Sequence, residues 1–435
     1  MNTSHPAIVP HWYMYPPKTS YTDAKPLAYN KILSSALGRC NAYVHIPFCN
    51  MKCSFCSLFT SSGYNEEMAN RYSVTLCQEI DQTLGTSYGI EFANVYFGGG
   101  TPAVLHADAV DPIMVLLNST IPFGGQTRTV EFSPDIVSDV SIRVWRRHRF
   151  DRVSLGVQSF DDRRLGLMRR HHDGGAAIHA IGALVAGGFE FVNVDLIFGG
   201  YAQTTQEWSL DLEQIVHSKA DSCTFHPMSS IEKTAFDRKL NANDDPIGDL
   251  KELHAWAVDF FASVGWIRTS AISFSRTGTR NPIENAEAHG IPTLGFGAGA
   301  RSYLETMHIS TLPAQSRMPF GKVLSAYFDA VEAHQKPALS AVHLSDEEIA
   351  RRALVLQLHH GVVMKSTVTR LTELTGDASV AKKFEELTDD GRAIDAGLAI
   401  KLCDHTLPLV AELGFEMSSA AVQNAICNTV KRSIS

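Results

Sequence analysis

Residues 45–56 read HIPFCNMKCSFC and set Cys49, Cys53 and Cys56 in the spacing C-x3-C-x2-C. Three thiolates this close can converge on one soft metal centre. A structural zinc site takes four ligands, commonly in two pairs, and the chain has no second CxxC and no HxxxH pair. An iron–sulfur cubane takes one thiolate at each iron; with three thiolates, one iron stays open to another ligand. A three-cysteine zinc knuckle completed by a distant histidine is the competing reading. The other five cysteines, Cys40, Cys77, Cys223, Cys403 and Cys427, are scattered and read as small buried residues.

The chain around this loop has 435 residues, a formal net charge of -8, 44% hydrophobic residues and 19% charged ones. That length is enough for two or three domains and at least one large core. The negative balance argues against a nucleic-acid protein, whose domain carries a basic stripe. No apolar run reaches the ~18 residues of a spanning helix. The opening MNTSHPAIVPHWYMYPP lacks the basic and apolar regions of a secretory signal. These features lead us to expect a cytoplasmic enzyme with neither nucleic-acid nor membrane partners, in which a disulfide framework is not expected.

Residues 1–38, rich in Pro, Tyr and polar residues, read as an N-terminal arm. From there short β-rich runs, 42–46, 94–97, 129–132, 152–157, 191–198 and 222–226, alternate with amphipathic stretches at 66–84, 106–118, 136–148, 161–186 and 204–218. Such alternation implies βαβ units and a parallel sheet. Six units in this length predict an α/β fold with a partial (β/α)6 barrel over 39–305. Each run ends in glycine or a polar residue: the cysteine loop, Gly98–Gly100, Glu131, Gln158, Asp195 and His226. Parallel architectures build their sites at that end of the strands. The alternation fades after 230, and 306–435 reads as a small, mostly helical, winged-helix-like domain. Its capping signature is SDEE at 345–348.

Together, YVHIPFC, YFGGGTP, VEFSP, RVSLGVQSF, VDLIFG and LGFGAGARSY, in that order, make the chain resemble the radical S-adenosylmethionine (SAM) superfamily. Within it, the likeness is to the oxygen-independent coproporphyrinogen oxidase-like branch. The resemblance implies a [4Fe–4S] cluster on Cys49, Cys53 and Cys56, with SAM chelating the open iron. Around SAM it implies Tyr43, the Gly98, Gly99 and Gly100 run, Glu131 as a contact to the bound cofactor, Gln158 at the ribose and Arg170 at the carboxylate. Arg169 is the competitor for that last role. Asp195 and the GAGA stretch with Ala298 and Ala300 are expected to line a second SAM or the substrate. His45 and His226 are read as hydrogen-bonding residues rather than ligands. The chemistry implied is reductive cleavage of SAM to methionine and a 5′-deoxyadenosyl radical, which takes a hydrogen atom from an unactivated C–H bond. A flavodoxin- or ferredoxin-type donor supplies the electron, and the protein is expected to be a monomer.

The chain also departs from the branch pattern. Leu58 stands where the porphyrinogen oxidases place a fourth cysteine, Thr269 and Ser270 where relatives carry Tyr-Glu, and Arg301 where a histidine is usual; HNxxYW is missing. These departures point to a tailoring enzyme acting on a peptide or small-molecule natural product. Its product would carry a new ring such as cyclopropane, or a new methyl group, and we lean to ring closure with a single SAM. The alternatives are a haem-pathway enzyme, either coproporphyrinogen dehydrogenase or haem-opening methyltransferase, and a non-catalytic haem chaperone.

Overall fold

Runs rich in Val, Ile and Phe, flanked by glycine or polar residues, become strands. In chain order they are β1 (Thr22–Asp23), β2 (Gly38–Ile46), β3 (Ile90–Gly99), β4 (Thr127–Phe132), β5 (Arg152–Gln158), β6 (Phe191–Phe198), β7 (Ser222–Pro227), β8 (Ile267–Ser270), β9 (Ser273–Ser275), β10 (Thr293–Phe296), β11 (Arg301–Tyr303), β12 (Met307–Ser310) and β13 (Ser340–His343). The structure is a computed structural model and describes residues 14–28, 38–85, 89–119, 126–228, 235–236, 249–314 and 318–434.

Strands β2 to β7 lie side by side in sequence order and pair in parallel. Helices cross over between them, at Glu66–Gly85, Ala107–Asn118, Asp139–Arg146, Gly174–Ala186 and Thr205–His217. Several of these start on a polar cap. Asp173 accepts from the Ala176 amide, and Thr204 and Glu207 form a reciprocal capping box, satisfying amides that the first turn leaves open. Val153, Leu155, Val157, Val192, Val194 and Leu196 are all buried, because helices cover one face of the sheet while the other curves round a cavity. The six strands are the six expected, in an open sheet with the partial-barrel order.

The sheet does not stop at β2. On its other side come β10, parallel, then β11, β12 and β13, antiparallel, and finally β1. The domain boundary expected at 305 is therefore crossed: 307–310 and 340–343 belong to the main sheet, because hairpins return the chain to its edge. Of the expected arm, residues 1–13 and 29–37 lie outside the described residues. The described part is not a separate unit, since β1 extends the sheet and Tyr15 is fully buried among Val355, Val422 and Ile426. Residues from 346 onward form helices around a three-stranded sheet of β14 (Val362–Met364), β15 (Ala393–Asp395) and β16 (Ala399–Leu402), in the order β14–β16–β15. Among the described residues no helix is long and apolar enough to cross a membrane.

A buried ion pair ties β10 to the helix after β2. Glu79, fully buried, meets Lys336 Nζ at 2.6 Å and also accepts from Tyr327 Oη and the Gly297 amide. Lys336 donates in turn to the Gly295 carbonyl and lies over the Phe296 ring.

Candidate active site

The cysteine loop follows β2 and is fixed at several points. The Cys49 amide donates to Ser61 O, and the Ser54 amide to Met168 O. Ser54 Oγ bonds Leu167 O and Tyr201 Oη. The glycines after β3 pack directly against it. The Gly100 amide donates to Ile46 O, and a Cβ there would fall 2.5 Å from Phe48 O and 3.0 Å from Cys49 Sγ. At Gly99, whose φ is +112°, a Cβ would collide with the His45 ring. Only glycine fits both positions. Thr101 Oγ1 and Arg170 Nη1 approach the sulfurs of Cys49 and Cys53 at 3.8 and 3.2 Å. Burial pushes the Cys49 thiol up to about 11, so a thiolate there requires a bound cation.

Arg170 owes its position to a break in the stretch 161–186, expected to be one amphipathic segment. The structure has two helices, Asp162–Leu167 and Gly174–Ala186, and Arg169 between them adopts φ +57°. Arg169 is exposed, whereas Arg170 enters the cavity and donates through Nη2 to Ser133 Oγ and Gly156 O. Gln158 is aimed by a second device. The pairing of β5 with β6 shifts register between Gly156 and Gln158, and Gln158 sits at φ +74°. A bulge with left-handed backbone at a strand end re-aims a side chain, here into the cavity.

Deeper in, Glu131 accepts from Tyr96 Oη (2.9 Å) and the Gly99 amide (3.0 Å). Burial outweighs those bonds and raises its carboxyl to about 7. Asp195 is held by Ser154 Oγ and Asn193 Nδ2. Tyr43 stacks on Tyr96 with ring centroids 5.9 Å apart. His45 bonds Phe59 O and contacts Tyr43 Oη, and burial lowers it to about 4.

One cavity of about 2410 Å³ gathers Tyr43, Cys49, Cys53, Cys56, Gly99, Gly100, Glu131, Gln158, Arg170 and Asp195. Gly98 lies just behind it, its Cβ position 2.8 Å from Glu131 Oε1. Ala298 and Ala300 are not brought to the wall. They are 0% and 2% exposed, because the glycine loop turns inward onto His45 while Glu79 holds the Gly297 amide from behind. Arg301, the next residue, is the one that lines the cavity. Thr269 and Ser270 are buried in edge strand β8. Sequence reasoning passed over Tyr96, Arg152 and Glu284, which also line it, beside His226, read there as a hydrogen-bonding residue. The charged residue at the start of the otherwise apolar β5 was the available signal for Arg152.

The residues present fit an iron–sulfur cluster with SAM. The donors are three soft thiols on one loop, and the glycine cradle admits a ligand where any side chain would intrude. Among the described residues Arg170 Nε is buried with no partner. No three His, Cys, Asp or Glu side chains among the described residues are gathered as for a single ion. A cubane, each iron taking its own thiolate, asks for a wider spacing.

Residues 43–215 match the model of the Radical SAM superfamily. Anaerobilin synthase of Escherichia coli O157:H7 is 29% identical over 276 residues, covering 59% of this chain and 59% of that protein. The heme chaperone HemW of Synechocystis is 26% identical over 276 residues, 61% of this chain and 66% of its own length. The chain thus spans under two thirds of these two relatives. An oxygen-independent coproporphyrinogen III oxidase of Cereibacter sphaeroides is 23% identical over 399 residues, 84% of this chain and 86% of that one. The solved structure of coproporphyrinogen III oxidase (HemN) from Escherichia coli superposes with a TM-score of 0.78 at 20% identity, covering 94% of this chain and 97% of that one. On this fold and this cavity, the chain carries a Radical SAM domain over residues 43–215, with a [4Fe–4S] cluster and S-adenosylmethionine as its cofactors.

Proposed function

We propose that the chain is a radical SAM enzyme of the haem-pathway kind, acting on a C–H bond of a tetrapyrrole-class substrate. The observation that carries this reading is the cavity. At about 2410 Å³ it exceeds the ~300–1,000 Å³ of an ordinary small-molecule site, leaving room for a macrocycle beside the cofactor. The relatives named for haem and porphyrinogen support the same choice.

Cys49, Cys53 and Cys56 would hold the cluster, which with SAM bound would supply one-electron chemistry able to take a hydrogen atom from the substrate. The chain's own residues position the ligands. Arg170 lines the cavity as the cationic partner for a carboxylate, and Gly99 and Gly100 let backbone approach the ligand. Tyr43, Glu131, Gln158 and Asp195 surround the remainder. The segment 408–427 lines one side of the cavity through Phe415, Gln423, Ile426 and Cys427. A flavodoxin- or ferredoxin-type protein delivers the electron.

The test is anaerobic turnover of reconstituted protein with dithionite and SAM, on coproporphyrinogen III and on haem in separate reactions. Consumption of either, with 5′-deoxyadenosine formed, is the expected result. Haem bound in the Soret region without turnover would indicate the chaperone role, and neither binding nor turnover would overturn the reading. A second reading keeps a peptide or natural-product substrate and ends in ring closure or C-methylation. It is favoured by the departures at Leu58, Thr269, Ser270 and Arg301. SAM deuterated in its methyl group decides between those outcomes: a labelled product is methylated, and an unlabelled product lighter by two hydrogens is cyclised.

A further inference from the structure

One row of side chains crosses the cavity floor. In register, Tyr43 lies beside Tyr96, Tyr96 beside Thr129, Thr129 beside Arg152 and Arg152 beside Phe191. On its other side Tyr43 pairs with Gly295, whose Cβ position abuts the backbone of Arg301. Residues of one row face the same side of a sheet, and Tyr43, Tyr96, Thr129, Arg152 and Arg301 all line the cavity. The row thus has an arginine towards each end, β5 and β11 being five strand spacings apart, or about 24 Å measured along the curved sheet.

Among the described residues neither arginine makes a hydrogen bond or an ion pair to a carboxylate, although Glu284 and Asp195 lie close enough to Arg152 to act on its charge. Arg152 is 6% exposed and its guanidinium stacks on the Phe191 ring at 3.9 Å. Among the described residues it makes no side-chain hydrogen bond and no ion pair. The carboxylates nearby are occupied by neutral donors instead: Asp195 by Ser154 and Asn193, Glu131 by Tyr96 and Gly99, and Glu284 by Asn281. Arg301 donates to Met14 Sδ at 3.0 Å, a thioether and a weak acceptor, and its other polar neighbours are the hydroxyls of Tyr303, Tyr21 and Tyr43. Burial lowers the Arg152 guanidinium to about 10. A buried cation without a counter-ion is costly to a fold. Two arginines on one cavity floor, neither hydrogen-bonded to a carboxylate among the described residues, mark places where a further anion arrives with a ligand.

We propose that Arg152 and Arg301 are the specificity anchors of this site, each receiving one carboxylate of a substrate that carries at least two, set well apart. This deepens the tetrapyrrole reading and rests on it for the choice of probe. Arg170, beside Cys53, remains the carboxylate partner for SAM.

The experiment titrates coproporphyrin III, a tetracarboxylate, and its tetramethyl ester into the reconstituted protein with SAM saturating, read by porphyrin absorbance and fluorescence. Wild type is expected to prefer the acid. Arg152→Gln and Arg301→Gln should each weaken the acid by about tenfold or more and leave the ester unchanged. Acid binding unaltered in both variants overturns the anchors while leaving the tetrapyrrole reading intact. Equilibrium dialysis with labelled SAM covers the other source of a carboxylate. If the variants bind one SAM fewer per chain and the porphyrin as before, the arginines serve a second SAM, and the substrate assignment falls. Binding of neither porphyrin by wild type removes the tetrapyrrole reading. Heat stability then decides the arginines: Arg152→Met should melt higher than wild type if the cation lacks a partner, and lower melting overturns the proposal.

Discussion

The sheet has two halves built on different rules. From β2 to β7 each strand is parallel to the last and a helix carries the chain back, so every strand's carboxyl end opens into the cavity and is free to bear chemistry. From β10 to β13 neighbouring strands run antiparallel, β10 to β12 joined by short turns and β12 to β13 through the helix Phe320–Glu332, and their ends are taken up by packing. The glycine loop after β10 presses on His45, and the Glu79–Lys336 pair holds it from outside. Chemistry thus collects on the crossover half, while the hairpin half supplies a wall, a clamp and one arginine.

The division is broken or sharpened most severely at the cysteines. Replacing Cys49, Cys53 and Cys56 together by Ala should remove the cluster entirely, read as iron and sulfide per chain and as loss of thiolate-to-iron absorbance. Cys403→Ala and Cys427→Ala should keep full iron. A cluster surviving in the triple variant would move the metal site off the crossover half.

The hairpin half is tested by Lys336→Met, which leaves Glu79 buried without its cation. A loss of about 3–5 kcal/mol is expected in denaturant unfolding of the purified protein. An effect below 1 kcal/mol would mean that the clamp is not what joins the halves.

Arg170→Ala removes a charge-assisted partner, so SAM affinity should fall by about 1.5–3 kcal/mol in equilibrium dialysis. The exposed Arg169→Ala should change it little. Reversal of that order would transfer the role to Arg169.

The smallest effect is a pH dependence. The Glu131 carboxyl, raised from 4.5 to about 7, binds its proton more tightly folded than unfolded. Its ionisation therefore costs stability as pH climbs from about 4.5 to 7, and nothing further above that. Glu131→Gln should gain on wild type across that window and hold a constant lead above it, measured as the difference between two stability–pH curves. A difference that stays constant through the window would show that burial does not hold the proton there.

Legibility follows the same division. All six crossover strands and their polar ends could be read because alternation and helix periodicity are local signals. Arg170 was found on its motif, but not the helix break that aims it. That break rests on the left-handed turn at Arg169 and the Asp173 cap, which compete with a continuous helical pattern. The return of β12 and β13 to the main sheet was illegible, since they join it through β10, whose pairing with β2 spans about 250 residues and leaves no period in the sequence. Ala298 and Ala300 were misplaced for the same reason: small residues beside glycines look like a ligand wall until Glu79, far away in the chain, is seen holding them inside the core. Arg152 and Arg301 emerge as a pair only once strand register is known.

The segment 408–427 that lines one side of the cavity is synthesised about 350 residues after the cysteine loop. At roughly 5–20 residues per second, the loop exists for on the order of 20–70 s before that side of the cavity has been made. Iron loading then has a time window set by translation, and codons that slow the last hundred residues lengthen it.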